Sequence, residues 1–161
     1  MTRSSINVDE VMDAIQSRLT RSSEAEHLAS LRLLPDPQRH VWATWILQCE
    51  VENGGFAQYF WNMEAEGFYD ETDAGLAALG ASAHLALFRE ALALIRPHLT
   101  VMHSWQGATD RFSKYKPLLK ETGIYERFSS LDGKFYDLQP SLPNLRERFI
   151  RSYVSSFTTQ A

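Results

Sequence analysis

Asp36-Pro37-Gln38-Arg39-His40-Val41-Trp42-Ala43-Thr44-Trp45-Ile46-Leu47-Gln48-Cys49 runs directly into Glu50-Val51-Glu52-Asn53-Gly54-Gly55-Phe56-Ala57-Gln58-Tyr59-Phe60-Trp61-Asn62, and the fold turns on this stretch. Val41, Trp42, Trp45, Ile46 and Cys49 recur three and four apart, the spacing that keeps side chains on one face of an α-helix. Asp36 before Pro37 reads as a cap followed by proline at the first helical position, where the missing N–H costs nothing. A helix is therefore expected to about Glu52. Asn53-Gly54-Gly55 would end it, since Asn and Gly tolerate the left-handed backbone of a helix C-terminus. Phe56, Tyr59, Phe60 and Met63 then form a short aromatic-faced helix that stops near Gly67.

The helical spacing continues outward in both directions. Asn7-Val8-Asp9-Glu10 is a capping box ahead of Val11, Ile15 and Leu19, and Ser23-Glu24-Ala25-Glu26 repeats it ahead of Leu28 and Leu31, with Pro35 as the stop. Downstream, Thr72-Asp73 would cap a short helix ending at Gly80. Ser82 would cap the next, with its stripe Leu85, Phe88, Leu92, Ile95 closed by Pro97. Residues 98–123 are less regular, with Pro117 and Gly123 as breaks. Ser129 or Ser130 would open a short helix through Leu131, Phe135 and Leu138, and Pro140 and Pro143 punctuate. The last helix presents Leu145, Phe149, Tyr153 and Phe157. No segment alternates with β-branched enrichment, so the fold class is all-α, an irregular bundle of about seven to nine helices.

The chain has 161 residues, 44% of them apolar, enough for one core at about 100 to 200 residues per domain. A single all-helical domain over 1–161 is expected, with N-terminal helices across 8–34 packed on the rest. The single cysteine, Cys49, excludes an intramolecular disulfide framework and a multi-cysteine metal site. The N-terminus shows no apolar leader, and no run of about 18 apolar residues occurs. A soluble, cytoplasmic protein is the expectation, without membrane contact. Sixteen Lys and Arg against twenty Asp and Glu give a net charge of −4, the wrong sign for a direct nucleic-acid binder. Residues 1–39, 40–88 and 89–161 sum to −1, −7 and +4, and the middle third has no Lys or Arg. Two readings follow: a polarity that orients the protein toward a charged partner or second copy, or bases of the last third folding back over the acids.

No catalytic set emerges. Cys49 and His40 are nine residues apart, about half a turn net, so they face opposite sides of their helix. Cys49 on its apolar stripe reads as a small hydrophobe. His98 and His103 lack a third ligand at helical spacing, so no metal site is expected. Glu64 and Glu66 diverge by about 200° and are no acid–base pair. Gly54-Gly55 lacks the preceding strand and following lysine of a phosphate loop. No cofactor is implied.

The run E-V-x-N-G-G-F-x-Q-Y-F-x-N over residues 50–62 resembles the signature of a bacterial DNA-mimic-protein-like family, otherwise a domain of unknown function. The resemblance continues in Asp73 to Gly80 and in Leu131-Asp132-Gly133-Lys134-Phe135-Tyr136-Asp137, and spans about residues 37–157. It implies a non-enzymatic, dimeric protein that binds a DNA-binding transcription factor in place of DNA. On that reading Glu64, Glu66, Asp70, Glu71 and Asp73 form the partner-binding surface, their field unneutralised by local bases. Duplex DNA shows roughly twenty phosphates per turn, so seven acids imitate at most a half-site. A two-fold homodimer would offer two patches about 34 Å apart. The motif itself supports another reading, a ligand or enzyme pocket lined by Glu50, Asn53, Gly54, Gly55, Phe56, Gln58, Tyr59 and Asn62. The purely structural reading is a folding hinge that packs the aromatic helix back on Trp42 and Trp45. On either reading of the motif Glu50 or Glu52 is expected by the amides that open the aromatic helix, and Gln58 and Asn62 to bond nearby backbone. An immunity or antitoxin-like partner is a third functional class.

Overall fold

A computed structural model describes residues 7–157; the expectations for the first six residues, including the absence of a leader, lie outside the described residues. Nine α-helices occur among them: α1 Val8–Gln16, α2 Glu24–Arg32, α3 Asp36–Asn62, α4 Glu66–Ala78, α5 Ser82–Ile95, α6 Leu99–His103, α7 Arg111–Glu121, α8 Ile124–Asp137 and α9 Leu142–Ser152. No strand occurs among the described residues, so the fold is all-α.

The first two helices start where the sequence says. Asn7 Oδ1 accepts the Asp9 N–H at 3.0 Å, and Ser23 Oγ accepts the Glu26 N–H at 3.2 Å, each satisfying an amide with no partner inside its helix. The central element is α3, which packs against α4, α8 and α9. It buries Val41, Trp42, Leu47 and Val51 in its first half and Phe56, Tyr59 and Phe60 in its second. Phe60 sits at the centre of the core, stacked on Phe88 and Phe128 with ring centroids 6.4 and 5.7 Å away. Fully burying a side chain of this size is worth about 1.5–3 kcal/mol, so this cluster anchors the bundle. Gly75 sets the α3–α4 approach, because a Cβ there would lie 2.9 Å from the His40 carbonyl oxygen.

Several boundaries differ from the sequence reading, each for a local reason. α3 does not end near Glu52 but resumes after a break at Gly54 and Gly55. Gly67 stops nothing and lies in the first turn of α4. Thr72-Asp73 caps no helix, because the Thr72 hydroxyl is committed to Tyr59 Oη at 2.8 Å in the core. The start of α4 is supported instead by Glu24, whose carboxylate accepts the Glu64 and Ala65 amides. Pro117 lies inside α7; Ser113, whose carbonyl loses its partner, is exposed and open to water. α8 begins at Ile124 rather than near Ser129, because Gly123 at φ +70° turns α7 directly into it and Ile124 and Phe128 extend the buried stripe. α9 stops at Ser152, leaving Tyr153 exposed, and Phe157 returns to the core through the 3-10 turn Val154–Ser156.

Candidate functional site

The break in α3 organises everything around it. Gly54 (φ −157°, ψ 21°) and Gly55 (φ 74°, ψ −176°) leave the helix and then re-enter it, which strands backbone groups on both sides. Two side chains of α8 meet them: Asp132 Oδ1 accepts the Phe56 N–H at 2.8 Å, and the Tyr136 hydroxyl donates to the Val51 carbonyl at 2.6 Å. Asp132 and Tyr136 are four residues apart, hence on one face of α8. Burial pushes the Asp132 carboxyl above the usual range, and the Phe56 amide works against that. Gly55 is required twice over. Its φ suits glycine, and a Cβ would stand 2.2 Å from Asp132 Oδ2.

The expected tight reversal onto Trp42 and Trp45 is therefore corrected. Phe56 packs with Phe60, Phe128 and Phe135, whereas Trp42 packs with Trp45 and donates its indole N–H to His27 Nε2 at 3.1 Å. Neither Glu50 nor Glu52 holds the amide that reopens the helix, because Asp132 occupies that place. Glu50 Oε2 instead accepts the side-chain amides of Gln58 and Asn62 at 2.8 and 2.7 Å. These two amides thus serve Glu50, not the backbone contacts expected of them. In an unbroken helix residues 50 and 62 would stand about 18 Å apart along the axis, so the break is what lets them meet. Gly54 makes room, since a Cβ there would lie 2.3 Å from Gln58 Oε1.

An open cavity of about 510 Å³ lies beside this polar trio. The second half of α3 contributes Gly54, Ala57, Gln58, Trp61 and Asn62, and α7 contributes Phe112, Tyr115, Lys116 and Leu119, with Tyr125 at the start of α8. Of the residues expected to line a pocket, Gly54, Gln58 and Asn62 do so. Tyr59 does not, because it is completely buried with its hydroxyl on Thr72, and burial pushes its phenol pKa upward. Phe56 and Gly55 are core positions, Glu50 is half-buried and bonded to the lining amides of Gln58 and Asn62, and Asn53 is exposed. The sequence reading missed Asp132, Tyr136 and the α7 aromatics. Asp132 and Tyr136 sit in the run 131–137 that carries part of the family resemblance, and a polar pair four apart opposite a glycine break is the signal that identifies them.

The acidic surface contracts on folding. Glu71 is 9% exposed and pairs with Arg32 at 3.2 Å and Arg39 at 3.3 Å. Asp73 receives two bonds from Arg89, at 2.6 and 2.8 Å, which hold its carboxyl below the usual range. Glu64 pairs with Arg111 and accepts from Gln106 at 2.7 Å. Bases from both the first and last thirds thus neutralise three of the five acids expected to lie unneutralised on a partner-binding surface. The remaining two, Glu66 and Asp70, are exposed on α4 and have no salt-bridge partner among the described residues.

The histidines and the cysteine fall outside any shared site. His40 rests on Phe149, and Cys49 lies on the half-buried side of α3. Among the described residues no group of three His, Cys, Asp or Glu side chains is placed to hold a metal. No helix among them is long and apolar enough to cross a membrane. A family model described as "DMP19-like protein" matches residues 32–153. No curated protein and no solved structure matches the chain.

Proposed function

Because the chain belongs to the DMP19-like protein family, we propose that it is a non-enzymatic interaction domain, a DNA mimic that occupies the DNA-binding surface of a transcription factor in the cytoplasm. The observation that carries the chemistry is the pair Glu66 and Asp70, exposed on α4 and free of ion pairing among the described residues. Four residues along a helix is about 6 Å, close to the roughly 7 Å through space between adjacent phosphates of one DNA strand, which rise about 3.4 Å along the axis. Two carboxylates at this spacing can meet two phosphate-binding side chains of a partner. The acids Glu64, Glu71 and Asp73 are neutralised by ion pairs and contribute little free charge to this face. Two copies related by a two-fold axis would double the patch, matching the symmetry of a dimeric regulator.

The test is affinity capture from native lysate at low salt, with elution by duplex DNA or by plain buffer. A DNA-binding protein released specifically by duplex DNA supports the reading. The variant Glu66→Lys/Asp70→Lys, which removes no ion pair, should lose that capture by at least about tenfold while melting as the parent does. Undiminished capture by the double variant, or capture of a toxin or of no DNA-binding protein, overturns it.

A further inference from the structure

We propose that the open cavity between the second half of α3 and α7 binds a planar aromatic molecule that carries a negative charge, of the aromatic carboxylate class. The inference uses residues outside α4 and stands apart from the DNA-mimic reading.

The cavity's volume, about 510 Å³, falls in the range of about 300–1,000 Å³ usual for small-molecule sites. Its floor is rigid and aromatic. Tyr115 is buried, tied by its hydroxyl to the Ala57 carbonyl at 2.8 Å, and packs on Trp61 at 5.0 Å. The mouth is aromatic as well, yet uncovered: Phe112 is 66% exposed and Tyr125 44% exposed. Two large rings left in water at the rim of this cavity are the feature the fold alone does not account for, and a flat apolar guest would cover them.

The charge of the guest follows from Lys116, the one charged side chain lining the cavity among the described residues. Its helix neighbours Arg111 and Lys114 are paired with Glu64 and Asp110, whereas Lys116 has no salt-bridge partner among the described residues. A carboxylate brought in on an aromatic ring would meet that ammonium beside apolar walls, where charge pairing is stronger than in open water. Gln58 and Asn62 supply a polar edge. Glu50 holds both amide groups in place, so they present fixed hydrogen-bonding partners to the guest without losing rotamer freedom on binding.

The experiment titrates the full chain with three isosteric probes: naphthalene-2-carboxylate, its neutral carboxamide and the cationic 2-naphthylmethylammonium. Saturable one-to-one binding of the carboxylate is expected, with the carboxamide at least about fivefold weaker and the ammonium weaker still, the scale of one partly desolvated charge pair. Lys116→Met, at an exposed position that leaves the core untouched, should bring the carboxylate down to the carboxamide's affinity and leave the carboxamide unchanged. Phe112→Ala should weaken all three probes. The Glu66→Lys/Asp70→Lys protein should bind as the parent does, so the two proposals succeed or fail separately. No saturable carboxylate binding, equal affinity for the three probes, or a carboxylate preference that survives Lys116→Met overturns the inference.

Discussion

Replacing Gly55 by alanine tests the architecture of the α3 break directly. Two costs add. At φ 74°, ψ −176° the backbone lies in a region held almost solely by glycine, and an L-residue there costs about 1–3 kcal/mol. The new Cβ would stand 2.2 Å from Asp132 Oδ2, so the carboxylate must leave the Phe56 amide, forfeiting a charge-assisted bond of about 1.5–3 kcal/mol. The total is about 3–6 kcal/mol, a large share of the roughly 5–15 kcal/mol that holds a typical domain. With a urea slope near 2 kcal/mol/M the unfolding midpoint should fall by about 1.5–3 M. Equilibrium urea unfolding followed by tryptophan fluorescence measures it. The two parts separate in a double-mutant cycle, because in an Asp132→Ala background only the backbone cost of about 1–3 kcal/mol should remain. Gly54→Ala is the internal control. Its φ of −157° lies outside the left-handed region, but at ψ 21° an L-residue carries some backbone cost and its Cβ meets the Gln58 side chain, so the loss should be about 1–3 kcal/mol and, unlike that at Gly55, the same with and without Asp132. A Gly55→Ala cost below about 1 kcal/mol, or the same cost with and without Asp132, would refute the reasoning.

Two further outcomes follow from buried polar groups. Tyr59→Phe should destabilise the fold by about 1–3 kcal/mol, because it strands the buried Thr72 hydroxyl, and should leave capture of a protein partner and probe binding unchanged; a loss of either at full stability would place Tyr59 in a site after all. His84 is 3% exposed, and burial holds its pKa below 6.5. The folded chain therefore binds fewer protons than the unfolded one just below pH 6.5, so stability is complete above that pH and is lost as the pH falls toward the folded value. Melting temperatures between pH 7.5 and 5.5 should decline, and His84→Leu should flatten the decline; an unchanged slope in that variant counts against the assignment.

The helical class was legible because three-and-four spacing survives in nearly every segment, and the caps at Asn7 and Ser23 depend only on neighbours two or three residues away. What failed were the places where distant side chains override a local signal. Asn53-Gly54-Gly55 has the composition of a helix stop, yet α8 supplies partners for the freed groups and the helix resumes. Thr72 looks like a cap until Tyr59 claims its hydroxyl. The stretch 40–88 has no bases of its own, but Arg32, Arg39, Arg89 and Arg111 arrive from elsewhere in the chain, which linear charge counting does not reveal. Of the expected pocket, the Gly54, Gln58 and Asn62 positions, four apart, were readable as one face. The opposite wall was not, because it comes from the irregular segment that became α7.

The joint in α3 also bears on the order in which the molecule assembles. The bonds from Gln58 and Asn62 to Glu50 span the break locally, but the two contacts from α8 that satisfy the freed backbone groups join residues 76 and 85 positions apart in the chain. Each half of α3 can form as a nascent helix within about a microsecond, but the Phe56 amide and the Val51 carbonyl stay without their α8 partners until α8 docks. Closing loops of that length is paid for before the contacts reward it. The Phe56 amide should accordingly stay protected from hydrogen exchange until α8 undocks, although it sits at a point where the sequence looks most ready to fray.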